Sequence, residues 1–122
     1  MTKSKMHYFH EEIATQFGVG QAIIINHLLY WISNNLAKSK NYHDGRTWTY
    51  NAVNEFSIYF PYWSESQIRT ILKSLLKQDV IIENNYNKHK YDRTKWYAFN
   101  DEQYWLSKYN PIDRIDKWKP QD

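Results

Sequence analysis

Cysteine is absent from the 122 residues, which rules out disulfides and thiolate chemistry and fits an intracellular, cytoplasmic address. No stretch approaches the roughly 18 consecutive apolar residues of a membrane span. The N-terminal MTKSKMHYFHEE also lacks the apolar run of a secretory signal. Internal repeats and low-complexity segments are missing, and so are the usual signatures of catalysis. There is no HExxH, no GxSxG, no phosphate-binding P-loop, and no His-hydrophobic-His element with a tyrosine nucleophile. His7, His10, Glu11 and Glu12 have loose metal-ligand spacing, but no second ligand cluster follows, and a charged terminal helix accounts for them. Asp79 and Glu83 resemble a nuclease carboxylate pair, yet Asn85 stands where such a site wants a lysine. The expectation is a non-enzyme without metal or cofactor.

What is present bounds a single domain able to bury one core. Hydrophobic residues make up 42% and charged residues 24%, the balance of a soluble globular chain. Aromatics reach 18%, with 11 Tyr and 6 Trp, so they must supply much of the core and some of the surface. The net charge of +3 and pI near 9.0 mildly favour a polyanionic partner, and the placement of the charge matters more than its sum.

Taken in order, His7 to Phe17 reads as a short helix with Phe9, Ile13 and Phe17 four apart and Gly18 as its stop. A longer helix from about Gly20 to Leu36 lines Ile25, Leu28, Leu29, Ile32 and Leu36 on one face. Ile24 and Trp31 widen that apolar arc, as in a central helix. Residues 37–45 form a polar linker in which Asp44-Gly45 signals a turn. Arg46 to Tyr50 alternates as a strand, with Trp48 and Tyr50 opposite Thr47 and Thr49. Asn51 is placed to cap the next helix, whose buried face is Val53, Phe56 and Phe60. Pro61 ends that helix by disfavouring helical geometry at Phe60.

Three residues, Pro61-Tyr62-Trp63, then lead to Ser64, which stands at an N-cap with Gln67 at capping-box spacing. Ile68, Ile71, Leu72, Leu75 and Leu76 follow at helical period, while Glu65, Ser66, Arg69, Thr70, Lys73 and Lys77 occupy the other face. Two helices joined this closely have helix-turn-helix spacing, although the usual turn glycine is missing. Val80-Ile81-Ile82 begins a strand, Asn84 to Asp92 is a polar, basic loop, and Thr94 to Phe99 is a returning strand. In that strand Trp96 and Ala98 alternate with Lys95, Tyr97 and Phe99. A hairpin directly after a recognition helix is a wing. A last helix spans Asp101 to Tyr109, capped by Asn100 or Asp101, and the tail 110–122, with Trp118, is expected to be loosely ordered. The expected fold is mainly α with a small antiparallel sheet: a winged helix-turn-helix over residues 1–109, in the order helix, helix, strand, helix, helix, strand, strand, helix.

Tyr30-Trp31, DGRTWTYN at Asp44 to Asn51, FPYWSESQIR at Phe60 to Arg69, and the segment from Asn85 to Tyr97 resemble a group of winged-helix proteins. These come from phages, prophages and plasmids and include replication initiators and replisome organisers. The same pattern is similar to the N-terminal domain of DnaD-type primosome proteins. The resemblance covers roughly residues 20 to 100, in the right block order. It implies a sequence-specific binder of double-stranded DNA at a replication origin, with replication proteins as further partners. Larger relatives carry a C-terminal region that engages DNA or a helicase; a chain of 122 residues is expected to be the bare DNA-binding module.

On that reading Ser66, Arg69 and Thr70 face base edges, and Lys73 and Lys77 meet phosphates; a solvated helix face is the plain alternative. Lys88, His89, Lys90, Arg93 and Lys95 load the hairpin with four formal positive charges against one from Asp92. Tyr86 and Tyr91 are interleaved with them. The wing would follow the phosphate backbone with a tyrosine hydroxyl as an extra donor. Otherwise a charged tip merely keeps the hairpin soluble and Asp92 pairs with Arg93. Trp48, Trp63, Trp96, Tyr50, Tyr62 and Phe99 could stack bases, but core packing is the expected job for most. Asn51 and Asn54 open a helix whose N–H groups suit either a phosphate or a plain cap. A dimer would read repeated or inverted half-sites about one helical turn apart. A transcriptional regulator would use the same contacts, and a protein-interaction module is the reading from a different class.

Overall fold

The computed structural model describes residues 4–109, and the expectations for the tail and Trp118 lie outside them. Within that range the fold mixes five helices with small antiparallel sheets: α1 (Glu11–Phe17), α2 (Val19–Ala37), β1 (Tyr42–His43), β2 (Arg46–Thr47), β3 (Thr49–Tyr50), α3 (Val53–Tyr59), α4 (Glu65–Lys77), β4 (Ile81–Asn84), β5 (Trp96–Phe99) and α5 (Glu102–Tyr109).

α1 starts at Glu11 rather than His7, because His10 is already extended and the His7 ring turns onto Phe60 and Tyr62 instead. Of its expected stripe Ile13 is buried, Phe17 packs against the core, and Phe9 is exposed. Gly18 closes α1 and opens α2 at φ 106°, a backbone conformation that L side chains rarely adopt, so glycine is favoured there. α2 is buried almost all round by Ala22, Ile24, Ile25, Leu28, Leu29 and Ile32, while Leu36 at its end is exposed, contrary to expectation.

α2 ends in a Schellman motif, not a featureless linker. Ser39 is left-handed, its N–H donates to Leu36 O, and Lys40 N–H donates to Asn35 O. The Asp44-Gly45 turn is real and does more than connect. Both residues have positive φ, as a type I′ turn requires, and they fold Tyr42–His43 back onto Arg46–Thr47. Two-residue β1 carries too short an alternation to be read.

The expected strand 46–50 is split at Trp48 into β2 and β3. Thr47 and Thr49 are both buried, and Tyr50 is exposed, so the expected two-faced pattern fails here. The reason is polar docking. The Glu102 carboxylate, at the start of α5, accepts from Thr47 N–H at 2.6 Å and from its hydroxyl at 3.4 Å. Arg46 donates to Asn100 O alongside.

The main sheet has the order β3-β5-β4, all antiparallel, with Thr49 opposite Tyr97 and Ile81 opposite Phe99. β5 alternates as expected, but both of its faces are buried. Tyr97 and Phe99 join the main core with α2, α3, α4 and α5, whereas Trp96 and Ala98 join Trp48 in a second cluster flanked by Ile82 and Tyr86. Among the described residues no helix is long and apolar enough to cross a membrane.

Candidate nucleic-acid interface

The α3-turn-α4 unit is specified locally. Glu55 accepts from Ala52 N–H and from the Asn51 side chain, so the N-cap position falls on Ala52, and Asn51 steadies Glu55 instead of capping the helix. Asn54 is exposed at the start of the helix. α3 ends at Tyr59, ahead of Pro61. Ser64 caps α4 in both directions: Gln67 N–H donates to Ser64 Oγ at 3.1 Å, and Ser64 N–H donates to the Gln67 side chain at 2.8 Å. Ile68, Ile71, Leu72 and Leu75 are buried and Leu76 is partly so. At the far end Asp79 is left-handed and its N–H donates to Leu76 O, with Val80 N–H on Leu75 O, a second Schellman motif. That explains Asp79 as a helix stop.

Ser66, Arg69, Thr70, Lys73 and Lys77 all lie exposed along one flank of α4, and no described residue covers them. Arg69 is paired with Glu65 one turn back at 3.3 Å, with both side chains about half exposed or more. Such a pair is worth only about 0.3–0.5 kcal/mol, so the guanidinium exchanges partners readily. Thr70 donates its hydroxyl to Ser66 O at 3.0 Å, which leaves its methyl group and lone pairs for an outside partner. Lys73 and Lys77 have no ion pair among the described residues.

The loop between β4 and β5 is built around one amide. Asn87 donates Nδ2 to Asp92 O at 3.0 Å and to Thr94 O at 2.8 Å, and its Oδ1 accepts from the Trp96 indole at 2.7 Å. Asp92 does not pair with Arg93. Its carboxylate takes Thr94 N–H at 3.0 Å, and that bond holds its pKa below the ordinary value. Lys88, His89, Lys90, Tyr91 and Arg93 are therefore exposed on a cross-braced loop, Tyr91 at 92%.

Lys95 lies 3.9 Å from Glu83 on the neighbouring strand, an exposed pair looser than Arg69–Glu65 and as readily exchanged. One expected donor is already engaged. The Tyr86 hydroxyl donates to the Asp44 carboxylate, and its ring stacks on His43 at 4.3 Å, so Tyr86 ties the loop to the β1–β2 turn and is not a free phosphate donor. Arg93 and Lys95 border a polar cleft of about 400 Å³ with Glu83, Asn84 and Asn85.

Of the aromatics weighed for stacking, Trp48, Trp96 and Phe99 are buried. Trp63 packs against the core, and Tyr62 is exposed with its hydroxyl on His7 Nδ1 at 2.7 Å. Tyr50 is exposed and lies against Trp96. The N-terminal His and Glu residues are dispersed. His10 lies on Tyr109, and Glu12 pairs with Lys108 at 2.7 Å, which lowers the pKa of Glu12. No group of three or more His, Asp or Glu suited to a metal exists among the described residues.

Neither Asn87 nor His27 stands out in the sequence. A polar asparagine in a polar loop gives no signal, although the neighbouring Trp96, which needs a partner for its indole N–H once buried, was a hint. Compared with family models, with curated proteins and with solved structures, the chain matches none.

Proposed function

We propose that this chain is a winged helix-turn-helix protein that binds double-stranded DNA in a sequence-specific way. α4 enters the major groove, with Ser66, Arg69 and Thr70 toward base edges and Lys73 and Lys77 toward phosphates. The β4–β5 loop is the wing, carrying Lys88, Lys90, Tyr91, Arg93 and Lys95 to the backbone. The observation that carries this reading is the uncovered, cation-bearing flank of a doubly capped α4, set between a short turn and a braced basic hairpin. The cellular role in keeping with the sequence resemblance is a cytoplasmic replication initiator or replisome organiser of a mobile element acting at its origin, with regulation of transcription as the alternative use.

The test is duplex binding across a salt series after selection of bound sequences from a random pool. Log affinity should fall with log salt by roughly 0.9 per phosphate neutralised. No salt-dependent shift of any duplex at micromolar protein refutes the reading. That outcome promotes a protein-interaction module, which the exposed Ile58 and Tyr59 of α3 favour as a second reading.

A further inference from the structure

A pocket of about 200 Å³ opens between the second half of α2, β3 and α3, and it shares no residue with the α4 flank or the β4–β5 loop. Two of its walls are aromatic. Trp31 from α2 and Tyr59 from α3 meet edge to face, with centroids 6.5 Å apart and planes at 65°. Tyr50 adds a third ring, steadied against Trp96 at 4.7 Å. The polar part comes from Asn41, and Lys40 brings an exposed ammonium with no ion pair among the described residues.

Asn51 closes the back of the pocket. Its Nδ2 donates to Glu55 at 3.1 Å, and its Oδ1 is sealed from solvent, so the polar contacts open to a ligand fall to Asn41 and Lys40.

Flat aromatic rings, an amide with donor and acceptor capacity, and one cation are together the chemistry that holds a nucleoside phosphate. The ring takes the π-face of the base, the Asn41 amide takes its hydrogen-bonding edge, and the ammonium takes the phosphate. A purely apolar ligand would leave the amide and the ammonium unused, and a bare anion would leave the rings unused. Size narrows it further: pockets for drug-sized ligands run from roughly 300 to 1,000 Å³, so this one, at about 200 Å³, suits a single base. We propose that the pocket binds one nucleobase carrying a phosphate, either as a free nucleotide or as one unpaired nucleotide of a strand. The proposal is independent of duplex binding by α4.

The experiment is an NMR titration of the full chain that follows the Trp31 indole N–H, assigned with Trp31→Phe. The probes are AMP, adenosine, ribose 5-phosphate and a short oligodeoxyadenylate. AMP should move the Trp31 signal with Kd on the order of 1 mM, as befits a site of one base. Lys40→Ala, at an exposed position, should weaken AMP by about two- to fivefold and leave adenosine unchanged. Tyr59→Leu should weaken both by about tenfold. Tighter binding of the oligonucleotide than of AMP assigns the base to a strand; the reverse assigns it to free nucleotide, and either sustains the proposal. An unmoved Trp31 signal at about 10 mM AMP, or ribose 5-phosphate reproducing the AMP shifts, overturns it.

Discussion

Acid should weaken this fold through His27 before it does so through any carboxylate. The His27 ring lies among Tyr59, Phe60, Phe56 and Trp31, with centroids at 4.8, 5.3, 5.5 and 6.3 Å, and its Nε2 has no hydrogen-bond partner among the described residues. Removal from water, helped by the nearby charge of His7, pulls its pKa from the ordinary 6.5 down to about 4. A histidine with a lower pKa folded than unfolded binds its proton more readily when the chain is open, so protonation favours unfolding. Stability is therefore intact above about pH 6.5, erodes as the pH falls toward 4, and levels off below that. At about 1.4 kcal/mol per pH unit the whole window amounts to roughly 3 kcal/mol, of which roughly 2 are lost by pH 5. Urea unfolding between pH 7 and pH 4 measures this. With a slope of about 1–3 kcal/mol per molar for a small domain, the midpoint should drop by about 1 M from pH 7 to pH 5. His27→Phe keeps a ring in the cluster and should flatten the profile in that window. Glu12 and Asp92, whose pKa values lie below the ordinary ones, add their losses only at lower pH, and so stay separable. A directly titrated His27 pKa near 6.5, or a parental midpoint that does not move between pH 7 and pH 5, refutes the reasoning.

Ser64→Ala removes the acceptor for Gln67 N–H and should cost about 1 kcal/mol of stability without changing the denaturant slope; a loss no larger than error would show that α4 does not depend on its cap. Asn87→Ala leaves the Trp96 indole without its partner and frees two carbonyls, so it should cost about 1–3 kcal/mol and speed hydrogen exchange across residues 88–95. Unchanged exchange there would mean that the loop is braced some other way. If α4 reads bases, Arg69→Ala should cost about 1–3 kcal/mol on the selected duplex and blur its sequence preference, whereas Lys90→Ala should weaken all duplexes alike and reduce the salt slope by about one. Equal effects of the two variants on every sequence would argue against base reading by Arg69.

The readable parts of this chain were those decided within a turn or two of helix. Ser64 and Gln67 declare the start of α4 because a cap is a contact between residues three apart, and Pro61 acts on its immediate neighbour. The apolar stripe of α4 was legible for the same reason. What escaped depends on distant partners. Thr47 looks like a solvent-facing strand residue until Glu102, far along the chain, accepts its N–H. Trp96 and Ala98 were rightly placed on one face of β5, yet nothing nearby says that Trp48 and Tyr86 cover that face. Asn51 was mistaken for a cap because its type suits one, while Glu55 governs the backbone there. His27 lies one residue before Leu28 in an apolar helix, and only the packing of α3 against α2 reveals what burial does to it. For the candidate interface, residue type and helical spacing were enough to list exposed cations, but not to tell that Tyr86 is tied to Asp44.

The central position of β5 has a consequence for how the chain reaches this state. Its two neighbours come from opposite sides of the α3–α4 pair, β3 before it and β4 after it. The β4–β5 hairpin closes locally, but adding β3 needs a contact across the whole α3–α4 pair, and such long-range closure is slow. As the polypeptide leaves the ribosome, β3 and β4 would both emerge unpaired, each with an edge awaiting Trp96 to Phe99. Any misassociation between nascent copies should begin at those edges, and the arrival of four residues ends the exposure.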